Sequence, residues 1–179
     1  MCPLRMEVRM ARVLMVIAPE VFRDEEYDHP KQALESRGAT VTTASTRAGA
    51  CHGKLGMIAE ATHALAEARA ADYDAVVFVG GGGAEVFFDD QAAHALACEM
   101  HALDRVVAAI CIAPSVFARA GLLRGVHATA FPSQRDDLIA HSALWSTGPV
   151  EIDGRIITAN GPDAARDFGL AIADALRLP

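Results

Sequence analysis

Three short runs of this chain, Arg12–Ala18 (RVLMVIA), Asp74–Val79 (DAVVFV) and Val106–Cys111 (VVAAIC), are almost free of polar side chains. A strand with one wet face alternates apolar and polar residues; a strand with no alternation is covered on both faces. Between the runs lie segments with helical signals. Phe22–Arg37 opens with acids and ends at Arg37-Gly38, Asp89–Leu103 reads as a helix, and Pro162–Leu176 spaces its apolar residues at three and four. Strands alternating with helices predict an α/β fold with a mainly parallel sheet and helices on both faces.

The remaining segments fill in this plan. Thr40–Ser45 is β-branched and alternating, a further strand. Arg47–Met57 is turn-rich, and the alanine-rich Ile58–Ala71 reads as helix. His127–Phe131 reads as a strand, Gln134–His141 as a short helix and Ser115–Ala120 as another. In Val150–Thr158, Asp153-Gly154 marks a C-terminal β-hairpin. Pro30, inside the first predicted helix, is expected to kink it or delay its regular part.

With 179 residues, residues 12–179 are read as one domain with a sizeable core, preceded by a leader over residues 1–11 that is either disordered or the product of an upstream start. The net charge is −7 and no Lys/Arg stripe occurs, so no nucleic-acid partner is expected. No apolar run reaches the roughly 18 residues of a membrane span, so no membrane partner is expected either. Cys2, Cys51, Cys98 and Cys111 are scattered without a CxxC pair, which points to a reducing, cytoplasmic setting with neither disulfides nor structural zinc. No metal site is expected among the seven histidines, and no nucleotide motif beyond a bare glycine run is present.

The chemistry concentrates after the third apolar run. Cys111 ends a buried strand, Pro114 suits a first helical position, and Ala113 has no side chain with which to cap. Backbone N–H groups at such a turn favour an anion and should lower the thiol pKa, which makes Cys111 a candidate nucleophile. The plainer alternative is a cysteine filling a core strand. In an open α/β sheet, the carboxyl ends of the strands also gather Pro19–Asp28 and the glycines Gly80–Gly83. The glycines serve either a tight turn or close approach to a ligand or to Cys111. Of the acids in DEEYD, Glu26 is taken as the site residue, and Asp24, Glu25 and Asp28 are placed on the surface or at an interface. Cys51 is read as a bystander.

The stretches FRDEEYDHP, FVGGGGAEVFFDD, AAICIAPSVFARAGLLRG, FPSQRDDLI and ITANGPDAARDFGLAI follow in order over Arg12–Leu178. Together they resemble the ThiJ/PfpI superfamily, the DJ-one-like cysteine proteins with a class I glutamine amidotransferase-like fold. The resemblance implies a flavodoxin-like three-layer sandwich and a homodimer or higher homo-oligomer. It aligns Cys111 with the elbow nucleophile and Glu26 with the glutamate against that thiol. Gly81 and the N–H of Ile112 match the oxyanion-binding groups. Glu85 matches a glutamate that reaches the neighbouring subunit's site in protease-like members.

Two departures stand out. Ile112 and Phe131 occupy positions where relatives carry histidine, so an imidazole would have to come from His29, His52, His94, His101, His127 or His141. Without one, amide hydrolysis lacks an acid for the leaving amine, and a peptidase or amidase is the least favoured reading. The resemblance implies cofactor-independent glyoxalase III or deglycase-like work on small reactive aldehydes. The alternative is a redox-sensing or protective module working through oxidation of Cys111.

Overall fold

The computed structural model describes residues 9–179. Cys2 and most of the expected leader lie outside the described residues. Of the leader's last residues, Ala11 is buried and its carbonyl accepts the Thr40 N–H at 2.8 Å.

In chain order the strands are β1 (Arg12–Val16), β2 (Glu20–Phe22), β3 (Thr40–Ser45), β4 (Gly49–Gly53), β5 (Ile58–Ala61), β6 (His63–Ala64), β7 (Ala75–Phe78), β8 (Val106–Ile110), β9 (His127–Ala128), β10 (Leu144–Trp145), β11 (Val150–Asp153) and β12 (Ile156–Ala159). The helices are α1 (Asp24–Ser36), α2 (Gln91–Ala102), α3 (Pro114–Arg119), α4 (Arg135–Ala140) and α5 (Ala165–Ala175). The main sheet runs β11-β12-β8-β7-β1-β3-β6, and its pairs are parallel except for the antiparallel β11–β12 hairpin. This is the predicted α/β architecture with its C-terminal hairpin. β7 and β8 are buried at every position, as their unbroken apolar sequences require.

Three readings change. Ile58–Ala71 is not a helix. It forms β5, β6 and two short 3₁₀ turns, with β5 pairing antiparallel to β4 inside the stretch expected to be only turns. Along β5 the side chains alternate exposed and buried, a period of two that alanine's helix propensity masked. The strand expected over His127–Phe131 is only two residues long, because the chain turns away to enter Pro132–Gln134. Pro30 sits inside a continuous α1.

Pro30 is accommodated by α5. A Cβ on Gly169 would stand 2.6 Å from the Pro30 Cα and 3.0 Å from the Ala33 Cβ, so glycine lets the two helices close together. The inward stripe of α1 contains Glu26, Tyr27, Pro30, Ala33 and Leu34, at three- and four-residue spacing. Its start is pinned twice. The Tyr27 hydroxyl and Thr43 Oγ1 lie 2.7 Å apart, and the Asp24 carboxylate accepts the N–H groups of Leu55 and Met57 at 2.9 and 2.8 Å. Asp24 is thus buried and structural, not a surface acid. Its carboxylate binds backbone donors of the β4–β5 connection, a use that depends on contacts thirty residues away.

Replacing Gly169 with alanine is expected to lower the unfolding free energy by about 1–3 kcal/mol through overpacking against Pro30, despite alanine's better helix propensity. Urea unfolding of Gly169→Ala checks this.

Candidate active site

β8 leads straight into the site. Its last residue, Ile110, is followed by Cys111 at φ +63°, a left-handed conformation that a residue with a side chain rarely adopts. Two hydrogen bonds hold this turn: the Cys111 N–H donates to Ala159 O at 2.9 Å, and the Phe131 N–H donates to Cys111 O at 2.8 Å. Ala113 caps α3 without a side-chain bond and Pro114 begins the helix, as the sequence suggested. The Ala113 N–H is not available to the sulfur, because it donates to Ile110 O at 3.1 Å. The Gly81 and Ile112 N–H groups are the backbone donors set against the sulfur.

Glu26 reaches the same point from α1. The Glu26 side chain is fully buried. A Cβ on Gly80 would collide with Glu26 Oε2 and with the Cys111 Cβ, so the glycine lets carboxyl, thiol and backbone meet. Gly81, at φ +98°, lies against the Arg23 N–H and the Val21 carbonyl, and no Cβ fits there. Its left-handed backbone turns the chain after β7 toward the sulfur. The glycine run therefore serves close approach as well as turning.

The electrostatics reverse one expectation. Burial, and then the Glu26 charge, push the Cys111 thiol up to about 12, and the Gly81 and Ile112 N–H groups offset this only in part. Burial likewise raises Glu26 to about 7, against the opposing pull of the Cys111 thiol, the Gly80 N–H and the Arg23 cation. The contacts of the carboxyl with the thiol and with Gly80 fall short of full hydrogen-bond geometry, since neither Glu26 oxygen has a partner by that standard. Two acids side by side in a dry pocket resist a second charge. With both groups raised, ionisation of one partner holds the other neutral, and the proton the pair retains belongs to the pair.

Among the described residues no histidine bonds to Cys111, and His63 pairs with Thr62 Oγ1 at 2.8 Å. His52 meets Glu20 at 3.1 Å, His94 bonds the Phe88 carbonyl at 2.7 Å, His127 meets Asp153 at 3.3 Å and His141 bonds the Asp137 carbonyl at 2.8 Å. His29 and His101 are exposed on α1 and α2. Ile112 is half-buried, and Phe131 is 44% exposed with its ring near Gly161. Glu85 lies exposed on the 3₁₀ turn Gly82–Phe87. Cys51 is fully buried.

Sequence reasoning missed Arg23. Its backbone N–H donates to Gly80 O at 2.9 Å, and its guanidinium holds Glu25 in a two-pronged pair at 2.8 and 3.1 Å. It is a cation whose field reaches both Glu26 and Cys111. The local signal was an arginine one residue before the acidic run, at the start of the helix. Among the described residues, no group of three or more His, Cys, Asp and Glu side chains is placed to hold a metal. No described helix is long and apolar enough to cross a membrane.

A doubly covered parallel sheet, a cysteine on a strained strand-to-helix elbow and a buried glutamate against it define a class of α/β cysteine proteins. The chain belongs to the DJ-1/PfpI family, whose model matches residues 11–175. An uncharacterised protein of Methanocaldococcus jannaschii is 39% identical over 175 residues, covering 96% of this chain and 85% of that one. A protein of Pyrococcus abyssi named a deglycase is 30% identical over 149 residues, covering 83% and 90%. Among solved structures, a ThiJ/PfpI domain protein from Brachyspira murdochii superposes with a TM-score of 0.92 at 32% identity, covering 94% and 97%.

The raised carboxyl has a consequence for stability. Glu26 favours the folded state most below its ordinary value of 4.5, where it is protonated in both states, and this contribution is lost as pH rises to about 7. The loss amounts to about 3 kcal/mol. Glu26→Gln has no such charge to bury, so its stability relative to the wild type is expected to be higher at pH 8 than at pH 5. Urea unfolding of both proteins at the two pH values measures the difference; an equal offset at both pH values contradicts it.

Proposed function

We propose that this protein transforms small α-oxoaldehydes with Cys111 as nucleophile and Glu26 as proton carrier, without a cofactor. The observation that carries the reading is the buried Glu26 carboxyl set against Cys111, with no histidine bonded to the thiol. The family relatives named deglycases support reactive carbonyls as the substrate class.

Cys111 gives its proton to Glu26 as the sulfur adds to the aldehyde carbon, forming a carbon–sulfur bond and an alkoxide. The Gly81 and Ile112 N–H groups, set against the sulfur, would stabilise that oxygen. Glu26 returns that proton to the alkoxide, giving a hemithioacetal; as a carboxylate it then takes the proton of the former aldehyde carbon and delivers it to the adjacent carbon, so that the intervening enediol becomes a 2-hydroxy thioester. Water cleaves the resulting thioester, which frees the thiol and a 2-hydroxy acid. None of these steps needs an acid strong enough to expel an amine, so the site suits aldehydes better than peptides.

Glu26 also favours a second reading, a redox-responsive module. Its unpartnered oxygens lie beside the sulfur, where the protonated carboxyl would donate to an oxidised sulfur. A peptide map after mild peroxide separates the two, because that reading requires Cys111 to oxidise before Cys98 and Cys51.

For the main reading, purified protein given methylglyoxal is expected to form lactate. Cys111→Ala should abolish this, and Glu26→Gln should slow it by roughly 10²–10⁴-fold. Measuring lactate, not aldehyde loss, separates catalysis from simple scavenging by thiols. Lactate formation retained in Cys111→Ala would overturn the proposal.

A further inference from the structure

A cluster of charged side chains lies at the other end of the sheet from Cys111. A cavity of about 290 Å³ opens where β1, β7, β8 and β12 begin, lined by Asp74, Asp104, Arg105, Arg155, Arg177 and the end of α5. Three arginines face two aspartates there, in a chain whose net charge is −7. Asp74 is already engaged, whereas the Asp104 carboxylate is exposed and lies 3.9 Å from Arg155 Nε. Asp74 Oδ1 meets Arg105 at 2.9 Å and Arg9 at 3.2 Å, and Asp74 Oδ2 accepts the Arg12 N–H at 2.9 Å. Arg155 donates to the Asp104 carbonyl at 3.0 Å and to Ala175 O at 3.1 Å, covering a carbonyl at the end of α5.

Cationic donors remain after these bonds. Arg105 Nε is buried and has no partner. The Arg177 side chain forms no hydrogen bond or ion pair among the described residues, although its backbone adopts a left-handed φ of +56° beside the cavity. A buried guanidinium N–H without an acceptor is costly, and the planar fork of arginine matches carboxylate and phosphate oxygens. We propose that this cavity binds a small oxyanion, a phosphate or carboxylate group, at a site separate from Cys111. Arg105 Nε, Arg155 and Arg177 supply the donors. Asp74 holds the Arg105 guanidinium in place, and the two aspartates together offset only part of the charge of the three arginines.

Isothermal titration of the full chain at low salt, with inorganic phosphate in one arm and citrate in the other, tests this. Saturable binding is expected in at least one arm, and the arm that binds identifies the group. Arg177→Ala, which breaks no bond of the fold, is expected to weaken binding about tenfold, the loss of one charge-assisted contact. The Arg105 Nε–H nitrogen resonance of the wild type should shift with the same saturation curve, a readout that does not depend on any variant folding. No saturable binding in either arm, or binding indifferent to Arg177→Ala with an unmoved Arg105 resonance, would overturn the proposal.

Discussion

The Glu26 carboxyl buried against the Cys111 thiol is the constraint around which the rest of the site is arranged. An acid without a full hydrogen-bond partner in a dry pocket is costly, and a fold retains one only when neighbouring elements leave it no way out. Here α1 is held at its first turns by Asp24 on the β4–β5 connection and by Tyr27 on β3. Gly80 removes the side chain that would otherwise separate the carboxyl from the sulfur. Strain at Cys111 φ completes the convergence. These features hold two acidic groups close enough that the ionisation of one governs the other.

That coupling changes what activation means at this elbow. Backbone donors are too few to make a free thiolate in a buried pocket: at the start of α3 Ala113 is already bonded within the turn, which leaves the N–H of Ile112, joined by that of Gly81 from the turn after β7. Burial and the neighbouring charge outweigh them. The thiol is better described as one partner of a single-charge pair, and in the proposed chemistry proton exchange within the pair would supply the nucleophile. Ile112 is half-buried and apolar and Phe131 is 44% exposed, so neither brings an ionisable group to this pair.

Much of this was legible in the sequence because it is periodic or local. The three apolar runs fix a doubly covered parallel sheet, Asp153-Gly154 fixes the hairpin, and the Cys111-to-Pro114 spacing fixes the elbow. Glu26 was legible too, since it lies four residues before Pro30 on the stripe that turns inward. What failed depends on distant partners. Alanine in Ile58–Ala71 is neutral enough to follow β4 into a sheet. Asp24 looks like any helix-start acid until the β4–β5 connection folds over it. The thiol's environment is a balance between burial and two N–H groups, and no motif states how that balance falls.

The central claim is that Glu26 titrates as a buried member of a pair and not as an ordinary carboxylate. A carbon-13 NMR titration of the labelled Glu26 side-chain carboxyl, assigned by its loss in Glu26→Gln, reads this directly. The pair predicts a titration near pH 7 in the wild-type protein. A midpoint at the ordinary glutamate value near 4.5 would contradict it.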